Sequence, residues 1–136
     1  MAALQVRYIL HNVDEAISFY TKRLNFKLEM HPAPAFAMLS YGDLRLVLSA
    51  PDPSAGGGQQ MPGGTQQTPG GWNRFALQVT YIVTMANELK KNGVHFRSDI
   101  VNGAGGKQVI MDDPSGNPIE LFEPILDEAK LDSTKT

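Results

Sequence analysis

The sequence has 136 residues, of which 42% are hydrophobic and 19% are charged, and its net charge is −2. This composition is typical of one globular domain, or of two small modules that share a core, and it lacks the positive charge of a nucleic-acid-binding protein. Cysteine is absent, which excludes disulfides and thiolate chemistry, and without a recognisable signal peptide or membrane-spanning apolar run we expect a soluble, cytoplasmic protein.

The first 50 residues predict a β-α-β-β-β module. Residues 4–10 alternate in the manner of a strand, and Asn12 or Asp14 can cap the helix that follows. Apolar residues then recur at the spacing of an amphipathic helix: Val13, Ala16, Ile17, Tyr20 and Leu24. Prolines and a Gly-Asp turn separate three further predicted strands, over 26–30, 35–40 and 44–49.

A segment rich in glycine and proline, 51–72, follows this module. It contains seven glycines, four prolines and one charged residue, Asp52, a composition that excludes a helix or a strand. Two interpretations stay open, a solvated flexible linker or a lid over a binding site. Trp72, the one tryptophan of the chain, either anchors this loop on the sheet or forms a stacking wall for an aromatic ligand.

The pattern of the first module begins again about 69 residues later. A helix is predicted around Ile82–Leu89 and ends near Gly93, and strands are predicted over 74–79, 94–98, 107–112 and 118–123. Seven apolar positions match at the same offset: Val6 with Phe75, Tyr8 with Leu77, Leu10 with Val79, Val13 with Ile82, Ala16 with Met85, Ile17 with Ala86 and Tyr20 with Leu89. This repetition indicates an internal duplication.

One face of each predicted sheet is mixed in polarity. Strand parity directs alternate side chains toward the module's helix and the others away from it. The away-facing set combines charged and amide side chains with apolar ones, as ligand pockets do. The predicted pocket residues are Gln5, Arg7, Val47, Trp72, Arg74, Gln78, Glu120 and Phe122. A dimer interface or a half-solvated sheet surface is the alternative interpretation of this face.

Three stretches, which together span about residues 4–124, carry patterns of a known family. They are Asp14–Tyr20 with Leu24-Asn25-Phe26, where Asn25 replaces a usual glycine, then Asn73–Val79, and Asp113–Leu121. The chain resembles the vicinal oxygen chelate superfamily of glyoxalase I, bleomycin-resistance proteins and extradiol dioxygenases. The resemblance implies an α+β fold of two tandem βαβββ modules, with curved mixed sheets around a cavity and helices on the outer face. It does not imply one activity, because the scaffold hosts lyases, isomerases, dioxygenases and non-catalytic drug binders.

This resemblance also implies an organisation of the chain. The first module covers residues 1–50, the Gly/Pro-rich loop covers 51–72, the second module covers 73–124, and residues 125–136 form a flexible tail. Together these parts are expected to form one compact domain. Family members commonly pair their sheets across a two-fold axis, so a homodimer is expected. Neither nucleic acid nor a membrane is expected as a partner.

Metal-dependent members of the family place four ligands at symmetry-related positions. Carried over onto this sequence, the positions are Gln5 and Val47 in the first module and Arg74 and Glu120 in the second. Val47 has no donor atom and Arg74 is a cation, whereas a divalent ion needs several converging oxygen or imidazole donors. We therefore predict that these four residues bind no metal and that no cofactor is required, with a divalent metal held by displaced ligands as the alternative.

Glu120 is the best candidate for a catalytic residue. Without a metal it either pairs with Arg74, which sets the polarity of the pocket, or acts as a general base. The sequence favours a glyoxalase/bleomycin-resistance-like protein that binds a small organic molecule, aromatic, anionic or carbonyl-rich, without a metal at the family site. The alternatives are a metal-dependent lyase or dioxygenase with displaced ligands, and a dimeric scaffold without a small-molecule role.

Overall fold

The computed structural model describes residues 4–52 and 57–125. The predicted flexible tail, apart from Ile125, therefore lies outside the described residues, as does part of the predicted loop. This part of the chain forms, in order, β1 (Leu4–Ile9), α1 (Val13–Arg23), β2 (Lys27–Ala33), β3 (Phe36–Tyr41), β4 (Leu44–Ser49), β5 (Phe75–Gln78), α2 (Ile82–Lys91), β6 (Val101–Asn102), β7 (Gly106–Asp112) and β8 (Pro118–Pro124).

The chain divides into two compact units, residues 1–70 with 114–117 and residues 71–113 with 118–136. The first unit holds a mixed sheet of order β1-β4-β3-β2, in which β1 and β4 are parallel and the other pairs antiparallel. Helix α1 packs on β2, β3 and β4. Its core contains the fully buried side chains of Tyr20, Leu39, Leu46 and Leu48, each contributing about 1.5–3 kcal/mol through burial.

The second unit repeats this arrangement with the order β5-β8-β7-β6. Here β5 and β8 are parallel, the other pairs are antiparallel, and α2 packs on β7 and β8. The predicted α+β architecture of two βαβββ modules is confirmed, with mixed sheets that do not close on themselves. Within the described residues, neither helix is both long and apolar enough to traverse a bilayer.

The strand predicted over 94–98 is reduced to a single bridge between Phe96 and Met111. Arg97 donates its backbone N–H to the carbonyl of Ile110, and the chain bends at Arg97 and Ser98. Serine favours local hydrogen bonds over a ladder, and the Ser98 hydroxyl donates to the Asp99 carbonyl. The fourth strand of the sheet therefore lies later, at Val101–Asn102.

Helix ends follow the local sequence. Asn12 is the N-cap of α1, and its side-chain oxygen accepts the Glu15 N–H at 2.8 Å. Helix α2 ends in a Schellman motif, because Gly93 has φ +87° and the next residue, Val94, donates to the Leu89 carbonyl. After α1 the same left-handed conformation is taken by Asn25, with φ +62°, which explains how asparagine can replace the usual glycine there.

The strand register supports the internal duplication. Val6 pairs with Leu46 in the first sheet, as its counterpart Phe75 pairs with Ile119 in the second. Val47 and Glu120 consequently hold equivalent places, on the face of each sheet opposite its helix. We call this the helix-free face. It includes Gln5, Arg7, Ile9, Arg45, Val47 and Ser49 in the first unit, and Arg74, Ala76, Gln78, Gln108, Ile110, Asp112, Glu120 and Phe122 in the second.

Candidate functional site

Arg74 and Glu120 form an ion pair on the helix-free face of the second sheet. The Arg74 Nε and Nη2 atoms lie 3.0 Å and 2.9 Å from the same carboxylate oxygen, Oε1 of Glu120. The two side chains are 25% and 16% exposed, so solvent screens the pair only in part. The pairing predicted for these residues is therefore present, and it joins the two residues of the second unit that the resemblance aligns with metal-ligand positions.

A second arginine–carboxylate pair, between Arg97 and Asp112, lies on the same face. Arg97 Nε donates to Asp112 Oδ1 at 2.7 Å, and both side chains are about 15% exposed. The other oxygen, Oδ2, lies 2.9 Å from Nδ1 of His95. This cluster was not predicted from the sequence. Strand alternation could have indicated it, because residues two apart in a strand share a face, as His95 and Arg97 do and as Ile110 and Asp112 do in β7.

The two arginines meet at the Gly71-Trp72 segment. Arg74 Nη1 donates to the Trp72 carbonyl at 3.0 Å, and Arg97 Nη1 donates to the Gly71 carbonyl. The Arg97 guanidinium also stacks on the Trp72 indole, 4.5 Å from the ring centroid. The segment is thus anchored through its backbone, while the Trp72 side chain is 65% exposed. The two roles predicted for Trp72 were an anchor for the loop and a stacking wall for an aromatic ligand. This geometry is compatible with both.

Gln78 and Phe122, the other predicted pocket residues of the second unit, lie opposite each other on β5 and β8. Both are half-buried. Phe122 also pairs with Gln108 of β7, and Ile110 pairs with Glu120. The helix-free face therefore places amide and apolar side chains beside the ion pairs, a mixture that suits an organic ligand with polar substituents.

The predicted residues of the first unit are arranged differently. Gln5 and Arg7 are exposed on the edge strand β1, whereas Val47 on β4 is only 2% exposed. The Gly57-Gly58 segment lies on this face, with Gly57 against the Arg7 guanidinium and Gly58 against Ser49 and the Ala50 carbonyl. The start of the described loop therefore packs on the sheet beside predicted pocket residues.

A cleft of about 280 Å³ lies elsewhere in the first unit, at the N-terminus of α1. None of the lining residues was predicted as a pocket residue: His11, Asn12, Val13, Asp14, Pro34, Ala35, Ala50, Pro51 and Asp52.

The donor set at the four family metal positions does not fit a divalent ion. Val47 is a hydrocarbon, and Arg74 is a cation whose nitrogens bind the one strong candidate ligand, Glu120. Among residues 4–52 and 57–125, no group of three or more His, Asp or Glu side chains is arranged to hold a metal.

The comparison with family models agrees with the fold. Residues 3–121 match the model of the Glyoxalase/Bleomycin resistance protein/Dioxygenase superfamily. The chain belongs to this superfamily. Because the match covers both modules and the loop between them, the superfamily's duplicated architecture accounts for the repeat offset and for the equivalent strand registers.

Solved structures of the superfamily's fold are similar over almost the whole chain. A superfamily member from Sphaerobacter thermophilus has a TM-score of 0.70 and 22% identity, with 90% of this chain and 97% of that chain covered. The antibiotic binding protein TnmS3 from Streptomyces sp. CB03234 has 0.66 and 21%, covering 91% and 96%. The fosfomycin resistance protein FosX from Listeria monocytogenes has 0.67 and 14%, covering 96% and 97%.

At these identities the similarity establishes the fold, and ligand specificity has to be argued from the side chains of this chain. No curated protein matches the chain.

Proposed function

We propose that this protein binds a small organic molecule that carries an aromatic ring, with anionic or carbonyl groups, and that no metal acts at the family site. The observation that carries the proposal is the exposed Trp72, whose indole stacks on Arg97 and whose backbone carbonyl is bound by Arg74. An exposed tryptophan held next to partly buried charges offers a flat apolar surface for a ring, and polar groups that can orient its substituents.

Two proteins of the same fold support a small-molecule role in general terms. One is described as an antibiotic binding protein and the other as a fosfomycin resistance protein. Their similarity to this chain concerns the fold, so they favour a class of ligand-binding activity and no particular ligand. The mixed helix-free face of the second unit is the feature of this chain that fits such a role.

Binding is tested by thermal-shift screening and by titration of Trp72 fluorescence with aromatic antibiotics and aromatic acids. We expect at least one compound to raise the unfolding temperature and to quench Trp72 emission with the same saturation curve. The response should be lost in Trp72→Leu and kept in Tyr81→Leu, which removes an aromatic side chain that is 75% exposed in α2's N-cap position. An unchanged Trp72 emission with every compound contradicts the proposal.

The metal-free part of the proposal is tested separately. Elemental analysis of protein purified without chelators should find no stoichiometric Ni, Zn, Fe or Mn. A metal present at one equivalent and lost in Glu120→Ala would instead support a metal-dependent lyase or dioxygenase with displaced ligands. Three further expectations stay predictions: a homodimer, a purely scaffolding role and a cytoplasmic location. Sedimentation analysis of the full chain tests whether the protein is a homodimer.

A further inference from the structure

Arg97 is held by three different contacts on the helix-free face of the second sheet. Its Nε binds Asp112, its Nη1 binds the Gly71 carbonyl, and its guanidinium plane stacks on Trp72. A planar guanidinium can make all three contacts at once, because its donors lie in the plane and its faces stay open for stacking. The side chain is 15% exposed, so water competes weakly for these contacts.

The partners of Arg97 are themselves held in place. Asp112 uses its second oxygen to bind His95, and its backbone N–H donates to the His95 carbonyl. The Arg97 N–H donates to the Ile110 carbonyl of β7. The carboxylate that orients Arg97 is therefore tied to the sheet through both backbone and side chain, which restricts the positions that the guanidinium can adopt.

Trp72 differs from an ordinary exposed tryptophan for this reason. The residue is 65% exposed, yet one face of its indole is covered by Arg97 and its backbone carbonyl is bound by Arg74. A side chain that is already ordered loses less conformational entropy when a ligand packs on it. The cation on one face also draws electron density from the ring, which favours an electron-rich or anionic aromatic group on the remaining surface.

We propose that Arg97 is a positioning residue that holds Trp72 as a preformed stacking surface, and that it thereby makes the site prefer planar aromatic acids to saturated acids of the same size. This inference rests on the proposed function and adds to it the residue that sets the preference. Arg97 acts through Trp72, and Asp112 and His95 act through Arg97.

The first experiment needs no ligand. Time-resolved fluorescence anisotropy of Trp72 should report faster indole motion, and acrylamide quenching should rise, in Arg97→Met compared with the wild type. Arg97→Lys keeps the charge beside Asp112 but lacks the planar guanidinium, so it should restore little of the slow motion. Arg23→Met, at an exposed position in the last turn of α1, controls for the loss of a positive charge. Unchanged indole motion in both Arg97 variants would overturn the inference.

The second experiment compares two acids by isothermal titration calorimetry: 2-naphthoate and its saturated analogue, decahydro-2-naphthoate. We expect the wild type to bind naphthoate roughly three- to tenfold more tightly, the range expected for one stacked aromatic pair. This ratio should approach one in Arg97→Met and stay unchanged in Arg23→Met. Equal affinity of the wild type for the two acids overturns this inference alone, whereas binding of neither acid counts against the proposed function on which it rests.

Discussion

At the scale of single residues, the charge at position 74 decides what Glu120 can do. The register of the two sheets makes Glu120 the counterpart of Val47, and the repeat offset makes Arg74 the counterpart of Gln5. An arginine beside a carboxylate supplies the positive charge that a metal ion would otherwise supply. The Arg74 guanidinium balances the negative charge of the Glu120 carboxylate, so this partly buried carboxylate does not need a metal ion to balance its charge.

The strength of this pair is measurable with a double-mutant cycle. Arg74→Met and Glu120→Gln should each lower the free energy of unfolding, because each leaves the other charge without its partner on a partly buried face. After discounting for the 25% and 16% exposure of the side chains, we expect a coupling energy of about 1 kcal/mol from urea unfolding of the four proteins.

The cycle has a matched control in the exposed pair of Lys27 and Glu29, whose charged atoms lie 3.8 Å apart. Lys27→Met with Glu29→Gln should give a coupling close to zero, since the Lys27 side chain is 77% exposed. An Arg74–Glu120 coupling no larger than that of the control pair would mean that the salt bridge does not hold this face together.

At the scale of elements, the glycine-rich segment is more ordered than its composition suggests. Over 57–70 it is closed by glutamine side chains rather than by a hydrophobic core. The Gln67 amide donates to the carbonyls of Gly57 and Gln59, and the Gln60 amide donates to the Gly64 carbonyl. Glutamine amides therefore close this segment on itself, and Gly57 and Gly58 lie against residues of the first sheet and its end.

Gly58 is a residue at which this loop lies close to the end of β4. A Cβ atom at this position would overlap the backbone carbonyl of Ala50, which cannot move away as a side chain could. We expect Gly58→Ala to displace the loop, to lower the free energy of unfolding by about 1–3 kcal/mol and to accelerate amide hydrogen exchange over 57–70. Differential hydrogen exchange with urea unfolding measures both effects.

Gly63→Ala is the control for this substitution. Gly63 belongs to the same loop, a Cβ there meets nothing within 4 Å, and its φ does not require glycine. The variant should therefore change the free energy of unfolding by about 0.5 kcal/mol or less. Equal exchange rates in the two variants would show that the loop is not held by its contact with β4.

At the scale of the whole molecule, periodicity predicted the duplicated fold because both modules bury the same stripe of apolar residues. It also assigned Arg74 and Glu120 to one face, since strand parity needs only local order. Strand alternation could have assigned Arg97 and Asp112 to one face, but no local pattern reports that Trp72, from a third segment, meets them. The shift of β6 to 101–102 follows the bend at Arg97 and Ser98, which the apolar pattern did not predict.

The segment Pro114–Asn117 is another feature that periodicity could not predict. It connects β7 to β8, yet it groups with residues 1–70. Ser115 Oγ accepts the His11 N–H at 2.9 Å, and the Asn117 amide donates to the Ile9 carbonyl at 2.8 Å. Both side chains are less than 10% exposed, so this turn supplies buried polar partners for the end of β1.

Asn117 is the best position at which to test this role. Its Oδ1 accepts the Gly70 N–H at 2.9 Å while its Nδ2 serves Ile9, so one amide joins the end of the loop to the end of β1. Asn117→Ala should cost about 1–3 kcal/mol of unfolding free energy, since it leaves the partly buried Ile9 carbonyl and Gly70 N–H without their partner. Asn102→Ala, at an exposed position of β6, should cost about 0.5 kcal/mol or less. In hydrogen exchange, the Gly70 amide should lose protection in the first variant alone. If Gly70 and β1 keep their protection from exchange in Asn117→Ala, other contacts hold the turn in place and the Asn117 side chain is not needed for it.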